Sequence, residues 1–115
     1  MLKQFVITAG TAVLVAFSAI AAAEPALLIV SHEIADFDAW KKAFDAGKVN
    51  REKAGLTERY VMRDLEKPNF IIVVFESGTA DNARQFVADP AFKERIKKAS
   101  VSGTADIKIG VSGQK

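Results

Sequence analysis

Residues 26–44, "ALLIVSHEIADFDAWKKAF", change their hydrophobic period halfway along. The first half, 26–34, is rich in branched aliphatic residues and predicts a strand. Leu28, Val30, His32 and Ile34 fall on one face, and Leu27, Ile29, Ser31 and Glu33 fall on the other. Both faces begin apolar, so both need cover from water. Asp36 is then a good N-cap, and after it Phe37, Trp40, Ala43 and Phe44 form one stripe of a helix. Lys41, Lys42 and Asp45 lie on the opposite side. The pattern predicts a helix to Ala54, bent near Gly47, with Gly55 supplying a left-handed residue just past its end.

The remaining segments follow by the same reasoning. "LTERYVMRD" (56–64) predicts a second strand, more polar than the first and therefore at an edge. "LEKPN" (65–69) is a turn, and "FIIVVFE" (70–76) is the most apolar strand of the chain. "SGTADNARQFVADPAFKERIKKAS" (77–100) predicts helix, with Thr79 as cap and Ala83, Phe86 and Val87 turned inward. Pro90 does not fit inside a continuous helix and divides it, the second piece carrying Phe92, Ile96 and Ala99 inward. "TADIKIGV" (104–111) predicts a last strand.

This order is an α+β arrangement, βαββαβ. Two split crossovers of that kind give a four-stranded antiparallel sheet with both helices on one face and strands one and three in the centre. The helices cover one face only, while the central strands are apolar on both. A second copy of the same sheet is the simplest cover, so a homodimer is expected.

The start of the chain is set apart from this fold. Lys3 is followed by no charged residue until Glu24, and Ala21 and Ala23 occupy the small-residue places of a cleavage site. That layout predicts a signal peptide over residues 1–23, a mature domain over 24–115 and a periplasmic or secreted location. A retained anchor is the weaker reading, because Thr8, Gly10, Thr11, Ser18 and many alanines dilute the run. The formal charge is +2, and Lys3 leaves with the leader, so the balance argues against nucleic acid or an anionic membrane surface as partner. There is no cysteine, so an exported domain of this kind has no disulfide to lean on.

Four segments, "DFDAWKKAF", "AGL", "DLEKPNFIIVVFE" and "ARQFVADPAFKERIKKASVSG", resemble the small ferredoxin-like proteins of the dimeric α/β-barrel superfamily. That superfamily includes the antibiotic-biosynthesis monooxygenases, and the resemblance covers residues 28–111. It implies a homodimer with its two sheets face to face and, in or beside each barrel half, an inter-sheet cavity for a small aromatic or hydrophobic molecule. It matches no catalytic triad or haem ligand of any member to a position here.

Read for chemistry, one histidine and no cysteine make no metal constellation, and no metal or cofactor is expected. Ser31 is adjacent to His32 and so on the wrong strand face to be activated by it. "KERIKK" (93–98) reads as a solvated helical face. The polar groups able to reach a barrel interior are His32, Arg59, Tyr60 and Arg63, with Tyr60 and Met62 on one face of their strand and Arg59, Val61 and Arg63 on the other. His32 and Tyr60 are the candidate catalytic residues, as proton-handling groups. Arg59, Met62 and Arg63 are the candidate ligand-binding residues. The plainer alternatives are that His32 is a hydrogen-bonded residue at a strand end, Tyr60 a half-buried edge residue, and Trp40 core rather than pocket wall. Two functions follow. One is a non-catalytic binder of a small organic ligand. The other is a cofactor-independent monooxygenase or isomerase acting on a phenolic or carbonyl compound.

Overall fold

The computed structural model describes residues 24–111, so the expected leader, residues 1–23, lies outside the described residues. Strand β1 (Ala26–Glu33) is followed by helices α1 (Phe37–Ala46) and α2 (Lys48–Lys53), then by strands β2 (Leu56–Arg63) and β3 (Phe70–Ser77). Helices α3 (Ala80–Ala88) and α4 (Pro90–Ala99) lead to strand β4 (Asp106–Val111). The sheet is antiparallel with order β2-β3-β1-β4, so β1 and β3 are the central strands. This is the expected ferredoxin-like α+β arrangement.

Local chemistry sets the element ends. The Asp36 carboxylate accepts a hydrogen bond from the Ala39 amide at 2.8 Å, and Thr79 Oγ1 accepts one from Asn82 at 3.0 Å. Gly47 does more than bend the first helix: its amide turns back to Phe44 and Asp45, ending α1, and its carbonyl starts α2. Pro90 occupies the first turn of α4, where its missing N–H would have had no helical partner, behind an Asp89 cap. Gly55 has φ of 87°, and a Cβ there would sit 2.6 Å from Asn82 Nδ2. That side chain donates to the Ala54 carbonyl at 2.7 Å and to Ser77 Oγ at 3.1 Å, tying the start of α3 to the end of β3.

The helices lie on the face of the sheet formed by Leu28, Val30, Ile71, Val73 and Phe75, and Ala83 and Phe92 complete that core. The opposite face stays open. There Leu27 and Met62 are exposed, and Ile29, Phe70, Ile72 and Val74 are half-buried.

One irregularity redistributes the side chains of β2. Leu56 and Glu58 pair with Ser77 and Phe75, on the helix side, but the register then slips so that Tyr60 pairs with Val74. This is a β-bulge, which adds a residue to one strand and reverses the alternation beyond it. Val61 and Arg63 therefore take the helix side, while Tyr60 and Met62 take the open side. Arg59, at the bulge, is ion-paired with Glu76 on the open side, so it does not share a face with Arg63 as its spacing predicts.

Candidate functional site

A cavity of about 570 Å³ separates the helices from the sheet, on the side of the sheet opposite the expected inter-sheet cavity, because the small helix residues leave the gap there. Its floor is Val30, His32, Val73 and Phe75 from the central strands. Its walls are Trp40 and Phe44 of α1 together with Phe86, Phe92 and Ile96 of α3 and α4. The gap exists because the facing helix positions include Ala39, Ala43 and Ala99, which are too short to close it. Both the volume and the apolar lining are those of a small-molecule site.

The α1 side of the wall is built from one helical stripe. Phe37 and Trp40 have ring centroids 5.7 Å apart, Trp40 stacks on Phe44 at 4.7 Å, and Phe44 reaches Phe75 of the sheet at 6.0 Å. Arg51 extends this stripe from α2: its Cζ lies 3.8 Å from the Phe44 centroid and 5.7 Å from that of Phe75. The glycine at 47 makes room for it, since a Cβ there would lie 3.0 Å from Arg51 Nη1.

Two buried side-chain atoms among the described residues have no hydrogen-bond partner, His32 Nδ1 and Arg51 Nη2. Both residues line this cavity. His32 is only 5 % exposed, and burial holds its pKa below the ordinary histidine range, which keeps the ring neutral near pH 7. Burial also draws the Arg51 pKa down, offset by the nearby Glu58 and Asp45 carboxylates. Glu58 Oε1 is 4.0 Å from Nη2, beyond hydrogen-bonding distance.

Of the five residues picked out from the sequence, His32 alone lines the cavity. Tyr60 is 63 % exposed on the other side of the sheet, so His32 and Tyr60 do not converge. The bulge is the reason: with unbroken alternation from Leu56, Tyr60 would share the side of His32. Met62 is exposed beside Tyr60. Arg63 lies over Phe37 at 4.1 Å and its Nε donates to the Pro68 carbonyl at 2.8 Å, which occupies it in holding the hairpin. Trp40, expected as core, packs in the aromatic stack and also faces the cavity. Arg51 was not among the expected residues. Its signal was its place seven residues after Phe44, on the apolar stripe rather than the charged face.

A scan of protein-family models finds no match to the chain, and no curated protein matches it in sequence. Solved structures do match in fold. A variant of SnoaB, a cofactor-independent oxygenase from Streptomyces nogalater, superposes with a TM-score of 0.64 at 14% identity, covering 81% of this chain and 97% of its own. A protein from Deinococcus radiodurans assigned to the antibiotic biosynthesis monooxygenases gives 0.56 at 13% identity, covering 78% and 94%. A conserved protein from Methanosarcina mazei gives 0.54 at 14% identity, covering 81% and 97%. The chain therefore shares the ferredoxin-like α+β fold of these structures.

The neutral state of His32 has a consequence for stability. The unfolded chain takes up a proton on this histidine near pH 6.5, whereas the folded chain resists it until lower pH. Its contribution is thus complete above that value and is lost as pH falls below it. The melting temperature of the wild type is expected to drop from pH 7 to pH 5 more steeply than that of His32→Asn, as read by circular dichroism. Asp36, Arg95 and Lys98, the other charged cavity residues besides Arg51, are unchanged in this comparison.

Proposed function

We propose that this protein binds a small aromatic or hydrophobic molecule in the cavity between its helices and its sheet. The observation that carries the reading is the aromatic lining of Trp40, Phe44, Phe75, Phe86 and Phe92 around a space of about 570 Å³. Flat rings offer a ligand large contact area with little side-chain entropy to lose. The likeness to a cofactor-independent oxygenase supports the reading at the level of fold.

A second reading, catalysis without a cofactor, is favoured by His32. A neutral imidazole at the floor of an apolar cavity, with Nδ1 unpartnered, is placed to take a proton from a phenol or from a carbon next to a carbonyl. Oxygenation and isomerisation of such compounds can both begin with that step. Tyr60 has no part in it within one chain.

The protein acts, in this proposal, as a homodimer outside the cytoplasm. The open sheet face supports the dimer: Leu27, Met62 and Tyr60 are exposed there, alongside half-buried Ile29, Ile72 and Val74. The leader-like residues 1–23 support export.

Three measurements test these statements. Trp40 is the only tryptophan and lines the cavity, so its emission reports occupancy directly. The neutral probe N-phenyl-1-naphthylamine is expected to brighten, quench Trp40, and raise the melting temperature, a ligand at a hundred times its Kd being worth about 2.7 kcal/mol. No response to the probe would remove the cavity reading. Light scattering at micromolar concentration is expected to give twice the chain mass, with Val74→Glu reduced to a monomer; a monomeric wild type would overturn the dimer. Intact-mass analysis of a periplasmic extract is expected to give a chain starting at Glu24, and a mass retaining residues 1–23 would count against processing.

A further inference from the structure

We propose that the molecule taken by this cavity is an aromatic carboxylate, its carboxylate held by Arg51 and its ring laid along Trp40 and Phe44. This rests on the cavity being a ligand site, as proposed above. Buried polar atoms in folded proteins nearly always find a partner, and a buried charged donor without one is costly. Among the described residues the two that lack one, Arg51 Nη2 and His32 Nδ1, belong to residues of the same cavity. The Arg51 side chain is 12% exposed, so bulk water is a poor substitute partner for it.

The geometry around Arg51 suits an anion. Its guanidinium is held over the Phe44 ring, with Cζ 3.8 Å from the centroid, and a planar guanidinium offers its N–H groups as a fork suited to a carboxylate. Glu58 is too distant to saturate it. A carboxylate matches the guanidinium fork with two parallel hydrogen bonds, and the ring attached to it would then meet Trp40, which stacks on Phe44. The charge of the lining agrees. Arg51, Arg95 and Lys98 line the cavity against one carboxylate, Asp36, which is already engaged in capping α1.

His32 adds a second requirement. It pairs with Ile71 on β3, whereas Arg51 lies beside Phe75, four residues further along the same strand. At about 3.3 Å per residue those strand positions are roughly 13 Å apart. One small group cannot meet both atoms. A ring system with a carboxylate at one end and a hydroxyl or carbonyl at the other can.

The test compares 6-hydroxy-2-naphthoate, its neutral isostere 6-hydroxy-2-naphthamide, and 2-naphthol by isothermal titration calorimetry. On the wild type the naphthoate is expected to bind about 10- to 100-fold more tightly than the naphthamide, the scale of a charge-assisted contact. In Arg51→Met that preference should vanish while 2-naphthol affinity stays unchanged. Equal affinity of naphthoate and naphthamide for the wild type would overturn the inference and leave the cavity reading in place; this comparison needs no variant and so holds even if Arg51→Met fails to fold. A naphthoate preference that survives in folded Arg51→Met would also overturn it. If all three compounds fail to bind, the cavity reading and the inference fall together.

Discussion

The antiparallel pairing of β1 with β3 is the constraint on which everything else in the molecule depends. Side chains alternate along a strand, so once Leu28 faces Phe75 and Val30 faces Val73 on the helix side, the position of every other residue of both strands is fixed. His32 is carried to the floor of the cavity by this alternation, not by any local preference of histidine for burial. The same alternation leaves Leu27, Ile29, Ile72 and Val74 on the far side, beyond the reach of either helix pair. One pairing thus creates both an interior site and an exterior apolar surface, and neither can be altered without shifting the other.

The helices add the second layer of specification. An aromatic stripe spaced for a helix would ordinarily pack flat onto the sheet and leave no void. Here Ala39 and Ala43 stand between the aromatic residues of α1, and the rings lean on one another as a wall instead of filling the floor. Gly47 then ends the helix and restarts it, which brings Arg51 back over Phe44. A cationic group on an apolar wall is an expensive arrangement for a core and a natural one for a binding site.

Most of the fold was legible in the sequence, because its signals are local. Asp36, Thr79 and Gly55 act at the helix ends their residue types suggest, and Pro90 divides the second helical segment where the chain can spare an amide. The element order implied the sheet order with β1 and β3 central, and the uneven hydrophobicity of the strands agreed with it. The site was far less legible. Tyr60 was grouped with His32 as a polar strand residue able to reach the interior, and a register slip between Glu58 and Tyr60 leaves no mark in composition. Trp40 read as core because packing and pocket-lining draw on the same stripe. Arg51 was hidden in a charged run, "KVNREK", whose other members are exposed. What decides these three cases is contact between segments distant in the chain.

The bulge in β2 also bears on how such a protein could change over generations. Loss of a single codon at Arg59 would remove the extra residue of the bulge and leave regular alternation, with Tyr60 still opposite Val74 on the open side and Val61 and Arg63 still on the helix side. The outer surface would keep its tyrosine and lose the Arg59–Glu76 ion pair in the same event. A one-residue deletion, ordinarily among the more damaging lesions in a strand, would at this position leave every later side chain of β2 on the face it already holds, so the bulge is a place where the strand can change length while the cavity and the outer surface keep their residues.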